Sequence, residues 1–384
     1  MQITPDVKYI GVNDRHTDLF EGQYIIPNGI SYNSYVILDD KCAVFDTVDR
    51  GFTSEWLANL ASALGDRSPD YLVVLHMEPD HSASIMHFMD RYTSAKIVTS
   101  AKALTMIKNF FGVDLAERAI TVGEGSALEL GRHRIVFYTA PMVHWPEVIV
   151  AYDECDKILF SADAFGKFGD LNADEDWACE ARRYYFGIVG KYGQQAQALL
   201  KKAAGLDIKY ICALHGPVLS ENLEYYIGLY NTWSSYTPEE EGVLIAYASV
   251  YGNTRAAAEL LHSALTERGV RAVITDLARC DMSEAVEDAF RYSKLVLACV
   301  TYNADVFPPM KEFLHALVER NYQNRTVGFI ENGSWAPAAA RVMASFFESS
   351  KNISYLDTTP KLLSALSDKS REEIMAMADE IAEK

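Results

Sequence analysis

The chain has 384 residues, 49% hydrophobic and 23% charged, with 22 Gly and 12 Pro. This is a globular composition that excludes disordered, collagenous and coiled-coil chains. The length is well above the prior of about 150 residues per domain, so two domains are expected. Asp and Glu (53) outnumber Lys and Arg (35), and the net charge of −18 opposes a polyanionic partner such as nucleic acid.

The N-terminus has no basic segment followed by an apolar one, and no apolar run reaches the ~18 residues of a membrane span. Cys42, Cys155, Cys179, Cys212, Cys280 and Cys299 are dispersed, with no CxxC pair. A disulfide framework or local zinc ribbon is therefore not readable, and a cytoplasmic protein with reduced thiols and no membrane partner is expected.

Along the first part of the chain, short strand-like runs dominate. Residues 34–38 and 41–47 read as a hairpin across Asp39 and Asp40, and residues 54–64 and 196–204 read as helices. An apolar strand over 71–75 leads straight into His76-Met-Glu78-Pro-Asp80-His81. Four side chains able to hold a metal fall within six residues. Alternation in an extended segment would send His76, Glu78 and Asp80 one way and His81 another, a geometry that can serve two adjacent metals. Three further candidates stand at strand-to-loop transitions: His144, Asp163 and His215. Each alone has an ordinary explanation as a satisfied polar residue or turn former; the ordered set does not. Asp46, ending an apolar run, is a candidate partner for a ligand histidine, or an ordinary strand-end Asp.

Near residues 231–242, a polar stretch containing Pro238, the pattern changes, and the domain boundary is expected there (1–238 and 242–384). Beyond it, strands over 243–247, 272–275, 295–300, 326–330 and 353–357 alternate with helices over 254–268, 282–292, 309–319, 336–348 and 371–383. Five strands alternating with five helices predict a parallel sheet covered on both faces, with ligands at the carboxyl ends of the strands. The loop after the first strand, Ser249-Val250-Tyr251-Gly252-Asn253-Thr254, offers hydroxyls and backbone N–H groups at a helix start, which suits a phosphate. Neither the P-loop pattern nor GxGxxG is present. Thr301, Tyr302, Asn303 and Ala304 follow the third strand, and Asn332, Gly333, Ser334 and Trp335 follow the fourth. Tyr302 and Trp335 are candidates to stack on a flat redox-active ring.

These three loops resemble those of flavodoxin, and the resemblance implies FMN. The metal-competent set resembles the metallo-β-lactamase superfamily, whose usual pattern is HxHxDH with downstream His, Asp and His. Here Glu78 stands where zinc hydrolases commonly carry a second His, and a carboxylate suits iron better than zinc. Together the two halves, with the Gly29-Ile-Ser-Tyr-Asn-Ser-Tyr35 run, resemble the flavodiiron proteins. The resemblance implies an α/β chain with a metallo-β-lactamase-like αββα sandwich followed by a flavodoxin-like five-stranded parallel domain. It also implies that His76, Glu78 and His144 hold one iron, that Asp80, His81 and His215 hold the other, and that Asp163 bridges them. Members of the family differ on whether the histidine at position 81 coordinates.

The implied activity is oxidoreductase: reduction of dioxygen to water, of nitric oxide to nitrous oxide, or both, with electrons passing through FMN. A zinc hydrolase with an appended flavodoxin domain is the alternative. The implied assembly is a head-to-tail homodimer, with a dimer of dimers open. Longer members add a rubredoxin with paired CxxC motifs; without one here, an external donor such as rubredoxin or a reductase is expected. His76, Glu78 and Trp335 are the expected surface for accepting electrons.

Overall fold

A computed structural model describes residues Met1–Lys384, which divide into two compact units, Met1–Asn231 and Thr232–Lys384. The polar stretch expected as a linker is partly helical. Asn231 to Ser234 form the last turn of the helix Leu223–Ser234, and Trp233 is buried with its indole N–H donated to Glu239 Oε2 at 2.7 Å.

The first unit is an αββα sandwich. Its six-stranded sheet runs, edge to edge, Val7–Tyr9, Tyr35–Leu38, Cys42–Phe45, Tyr71–Val73, Lys96–Thr99 and Ala119–Thr121. The second sheet orders Ala127–Glu129, Arg134–Thr139, Ile149–Asp153, Ile158–Phe160 and Tyr210–Cys212. The Asp39–Asp40 hairpin forms as expected, with Leu38 opposite Cys42. Between the sheets, Phe45 of one stacks on Phe160 of the other with ring centroids 4.0 Å apart and planes 11° from parallel. Both rings are fully buried. Strands covered on both faces cannot alternate apolar and polar residues, which is why Cys42–Phe45 and Ile158–Phe160 are buried at every position.

The second unit is built on a parallel sheet in the order Ala272–Asp276, Glu240–Ala248, Tyr292–Tyr302, Arg325–Asn332 and Ile353–Tyr355, with two short strands at strand ends: Asp305–Val306 antiparallel to the end of Tyr292–Tyr302, and Lys361–Leu362 parallel to the end of Arg325–Asn332. In sequence order this is 2-1-3-4-5, and the switch point lies between the first and third strands, beside the loops singled out above. The terminal helix Asp368–Glu383 starts three residues earlier than expected, because Ser367 and Ser370 form a reciprocal capping box. The helix expected over 336–348 is shortened to Ala339–Phe346. No helix is long and apolar enough to cross a membrane.

Candidate functional site

In the first unit, loops after four strands bring the seven expected side chains together. His76, Glu78, Asp80 and His81 follow Tyr71–Val73, His144 follows Arg134–Thr139, Asp163 follows Ile158–Phe160, and His215 follows Tyr210–Cys212. The expected alternation fails after Glu78. Pro79 opens a helical turn, Pro79–Ser82, with Glu78 at its N-cap, because Pro favours the first helical position. Asp80 and His81 therefore fall in one group rather than on opposite sides.

The groups are His76, Glu78, His144 and Asp163, and Asp80, His81 and His215; within each, the donor atoms lie within 4.8 Å of one another. Glu78 Oε2 is 3.3 Å from His76 Nε2 and 2.9 Å from His144 Nε2. Asp80 Oδ2 is 3.2 Å from His81 Nε2 and 3.3 Å from His215 Nε2. Asp163 reaches both groups. Its Oδ2 lies 3.3 and 3.1 Å from His76 and His144 Nε2, and its Oδ1 lies 3.2 and 3.9 Å from His81 and His215 Nε2.

All these side chains are deeply buried, which makes their charges costly unless matched. Burial opposes ionisation of Asp163, yet the surrounding His76, His144 and His81 hold its carboxyl well below the usual range. Burial likewise opposes the charge on His144, and the carboxylates of Asp163 and Glu78 outweigh it, raising its pKa to about 9. Even so, the carboxylate oxygens of Asp80 and Asp163 receive no well-directed hydrogen bond, and the Nε2 atoms of His81 and His215 face each other at 3.1 Å. Buried acceptors without donors, with imidazole nitrogens converging on them, fit a pair of cations. Nitrogen and carboxylate donors without thiolate suit iron.

Ligand orientation comes from groups that sequence reasoning missed. His76 Nδ1–H donates to Glu147 Oε1 at 2.8 Å, and the same oxygen accepts the Met77 N–H at 2.9 Å. His215 Nδ1–H donates to the Ser31 carbonyl at 2.8 Å. Each bond leaves Nε2 as the atom facing the cluster. The Gly29–Tyr35 run is thus a brace. Ser31 Oγ accepts the Gly216 N–H, and Asn33 Nδ2 donates to the carbonyls of Ala213 and Gly216, all at 2.7–2.9 Å. Gly216 has φ +80°, and a Cβ there would lie 2.7 Å from Lys167 Cγ, so the turn after His215 requires glycine.

Asp46 does not touch a ligand ring. Its Oδ1 accepts the backbone N–H groups of Leu75 and His76 at 2.8 and 3.3 Å, so it holds the loop, and burial pushes its pKa up to about 8. Aromatic rings exclude water around the group: Phe20 and Tyr184 lie 5.5 and 5.4 Å from His215, and Trp145 lies 5.3 Å from His76, centroid to centroid.

In the second unit, the three expected loops converge on a cleft of about 520 Å³. Residues 249–251, 253–254, 300–304 and 332–336 line it, joined by Ser364, which sequence reasoning missed. Ser364 lies in a loop that bonds to this edge: Asn332 Nδ2 donates to its carbonyl, and its N–H donates to Asn332 Oδ1. Gly252, at φ +92°, turns the chain into the helix Asn253–Glu267, and no side chain caps that helix. Its first N–H groups are open to an anion. Tyr251 is 95% and Trp335 82% exposed, two large rings at the cleft without covering groups of their own. This fits a flat ring with a phosphate tail. Of the three residues expected to accept electrons at the surface, only Trp335 is exposed. His76 is fully buried and the Glu78 side chain only 12% exposed, because the ligand loop folds beneath its aromatic shell.

Residues 30–216 match the family described as ODP family beta lactamase, and residues 245–366 match flavodoxin. A putative diflavin flavoprotein A 1 from a Nostoc species is 28% identical over 341 residues, covering 87% of this chain; the chain spans only 58% of that relative's length. An anaerobic nitric oxide reductase flavorubredoxin from Aeromonas hydrophila is 27% identical, with 92% of this chain and 74% of that protein covered. The solved structure of rubredoxin oxygen:oxidoreductase from Desulfovibrio gigas superposes with a TM-score of 0.92 at 24% identity, over 100% of this chain and 98% of the other. With both domain matches in this order on one chain, and with relatives of this kind along most of its length, the chain shares the two-domain organisation of the flavodiiron proteins.

Proposed function

We propose that this chain is a flavodiiron oxidoreductase that reduces dioxygen to water, nitric oxide to nitrous oxide, or both. The observation that carries this reading is the buried His and carboxylate cluster, split into two groups that both contact Asp163. In this reading His76, Glu78 and His144 hold one iron, Asp80, His81 and His215 the other, and Asp163 serves both. The cleft of the second unit would hold FMN, with the Asn253–Glu267 helix start available to its phosphate and Tyr302 or Trp335 available to its ring. Bound iron and FMN supply the electron transfers: four electrons and four protons convert dioxygen to two waters, and two of each convert two nitric oxides to nitrous oxide and water.

The chain's own residues position and shield. Glu147 and Ser31 fix the faces of His76 and His215. Phe20, Tyr184 and Trp145 keep bulk water away, which strengthens every charge interaction within. The zinc hydrolase reading is disfavoured by Glu78, a carboxylate 2.9 Å from His144 Nε2.

The reading includes a head-to-tail homodimer, so that one subunit's flavin serves the other's metals, and an external donor of the rubredoxin or reductase class. The six reduced cysteines suit a reducing compartment, the cytoplasm. The test is anaerobic reduction of the purified protein, followed by separate stopped-flow mixing with dioxygen and with nitric oxide. Rapid reoxidation of FMN by at least one gas is expected. Reoxidation by neither, in protein carrying zinc and no iron, would overturn the reading in favour of the hydrolase.

A further inference from the structure

A second cluster in the first unit shares no residue with the one above. His133 precedes the strand Arg134–Thr139, and its Nδ1–H donates to Asp153 Oδ2 at 3.0 Å, with both side chains fully buried. In the neutral ring that bond places the proton on Nδ1 and leaves the lone pair on Nε2. Asp153 also accepts the N–H groups of Cys155 and Asp156 at 3.1 and 3.0 Å. One buried carboxylate therefore orients both the ring and the turn that carries the next two donors. The donor atoms of His133, Cys155 and Asp156 lie within 4.8 Å of one another, and Asp6 Oδ2 is 3.3 Å from His133 Nε2.

The cation now among them is a guanidinium. Arg132 Nη2 contacts Asp6, and lies 3.3 Å from His133 Nε2 and 3.9 Å from Asp156 Oδ1. Its side chain is 55% exposed and can turn out into solvent.

We propose that His133, Cys155, Asp156 and Asp6 bind a zinc-class divalent cation in place of the Arg132 guanidinium. One sulfur, one imidazole nitrogen and carboxylate oxygens suit a borderline-soft ion, whereas the cluster at Asp163 has no thiol. Zinc bonds of about 2.0–2.3 Å place tetrahedral donors roughly 3.3–3.8 Å apart. The donors of His133, Cys155 and Asp156, within 4.8 Å of one another, therefore close inward by about 1–1.5 Å at most, through rotation of the partly exposed Cys155 and Asp156 side chains, with Asp6 already 3.3 Å from the imidazole nitrogen. Binding forms a metal–sulfur bond and releases the thiol proton to solvent, with no change of oxidation state. It ties the N-terminal segment to the turn between Ile149–Asp153 and Ile158–Phe160, where Thr4 Oγ1 already donates to Asp156 Oδ2 at 2.5 Å.

The test is a cobalt(II) titration of the full-length protein loaded with iron and FMN, reading the near-ultraviolet thiolate-to-cobalt band, followed by zinc competition. The wild-type protein is expected to develop the band and lose it to zinc. Cys155→Ser should abolish it, and Asp153→Asn should weaken zinc binding by about 10- to 100-fold. Arg132→Ala, by removing the competing cation, should tighten binding. No band in the wild-type protein, an undiminished band in Cys155→Ser, or weaker binding in Arg132→Ala would each overturn the proposal.

Discussion

The imidazole of His76 and the carboxylate of Glu147 are joined by a 2.8 Å hydrogen bond with neither side chain exposed to solvent. The bond commits His76 Nδ1–H to Glu147 and directs Nε2 toward Glu78 and Asp163. Glu147→Ala should lower iron affinity by about 10- to 100-fold, measured as iron retained against a competing chelator, with FMN content unchanged. Glu147→Gln keeps an acceptor oxygen and should recover part of the loss. A purely structural role would show equal iron retention in all three proteins.

Asp163 is the one carboxylate with an oxygen toward each group. Asp163→Ala should reduce gas-dependent turnover by about a hundredfold or more while leaving the flavin spectrum intact. Oxidase and nitric oxide reductase assays, with the visible spectrum recorded alongside, check both halves. Retained turnover would remove Asp163 from the site.

In metal-free protein, His144 has a folded pKa of about 9 against an unfolded value near 6.5. The folded state therefore binds the extra proton. The stabilisation is complete below about pH 6.5 and is lost as pH rises through about 9. The acid side has the opposite sign: Glu78 and Asp163 are held below their ordinary values, so their contribution is lost as pH falls below about 4. Thermal melting of chelator-treated protein across this range should give a maximum between those limits. The alkaline loss should shrink in His144→Gln.

Trp335 is 82% exposed at the cleft, so removing it should cost the flavin-free protein little. Trp335→Ala should weaken FMN binding by about 2- to 12-fold, the range of an aromatic stacking contribution of roughly 0.5–1.5 kcal/mol. Flavin fluorescence titration reads the affinity, and an unchanged melting temperature without flavin separates stacking from folding.

Phe160, stacked on Phe45 across the sandwich, has no solvent contact. Phe160→Ala should destabilise the first unit by about 3–5 kcal/mol through lost burial and the cavity left behind. Guanidinium unfolding followed by near-ultraviolet circular dichroism would report it, and the transition of the second unit should stay in place.

The alternation of the second unit was legible because its strands are long and continuously apolar and its helices carry capping or terminating residues between them. The first unit was harder to read. Many of its strands span three or four residues, several are buried on both faces, and their partners lie far along the chain, so neither period nor pairing shows locally. The seven clustered residues were legible because four of them stand within six positions. Glu147, Ser31 and Ser364 were not, since their bonds reach residues 71, 184 and 32 positions away. The Asn231–Ser234 segment misled for a different reason: a final helical turn facing partly toward solvent has the polar composition of a loop.

The seven side chains are shared between the sheets of the sandwich: His76, Glu78, Asp80 and His81 hang from the six-stranded sheet, and His144, Asp163 and His215 from the five-stranded one. Ions bound among them would act as rivets through both layers. By mass action, ligation would then convert the separate tendencies of two sheets to open into one cooperative event. Loss of metal would be felt as loosening of the whole first unit, far beyond the loops that touch the ions.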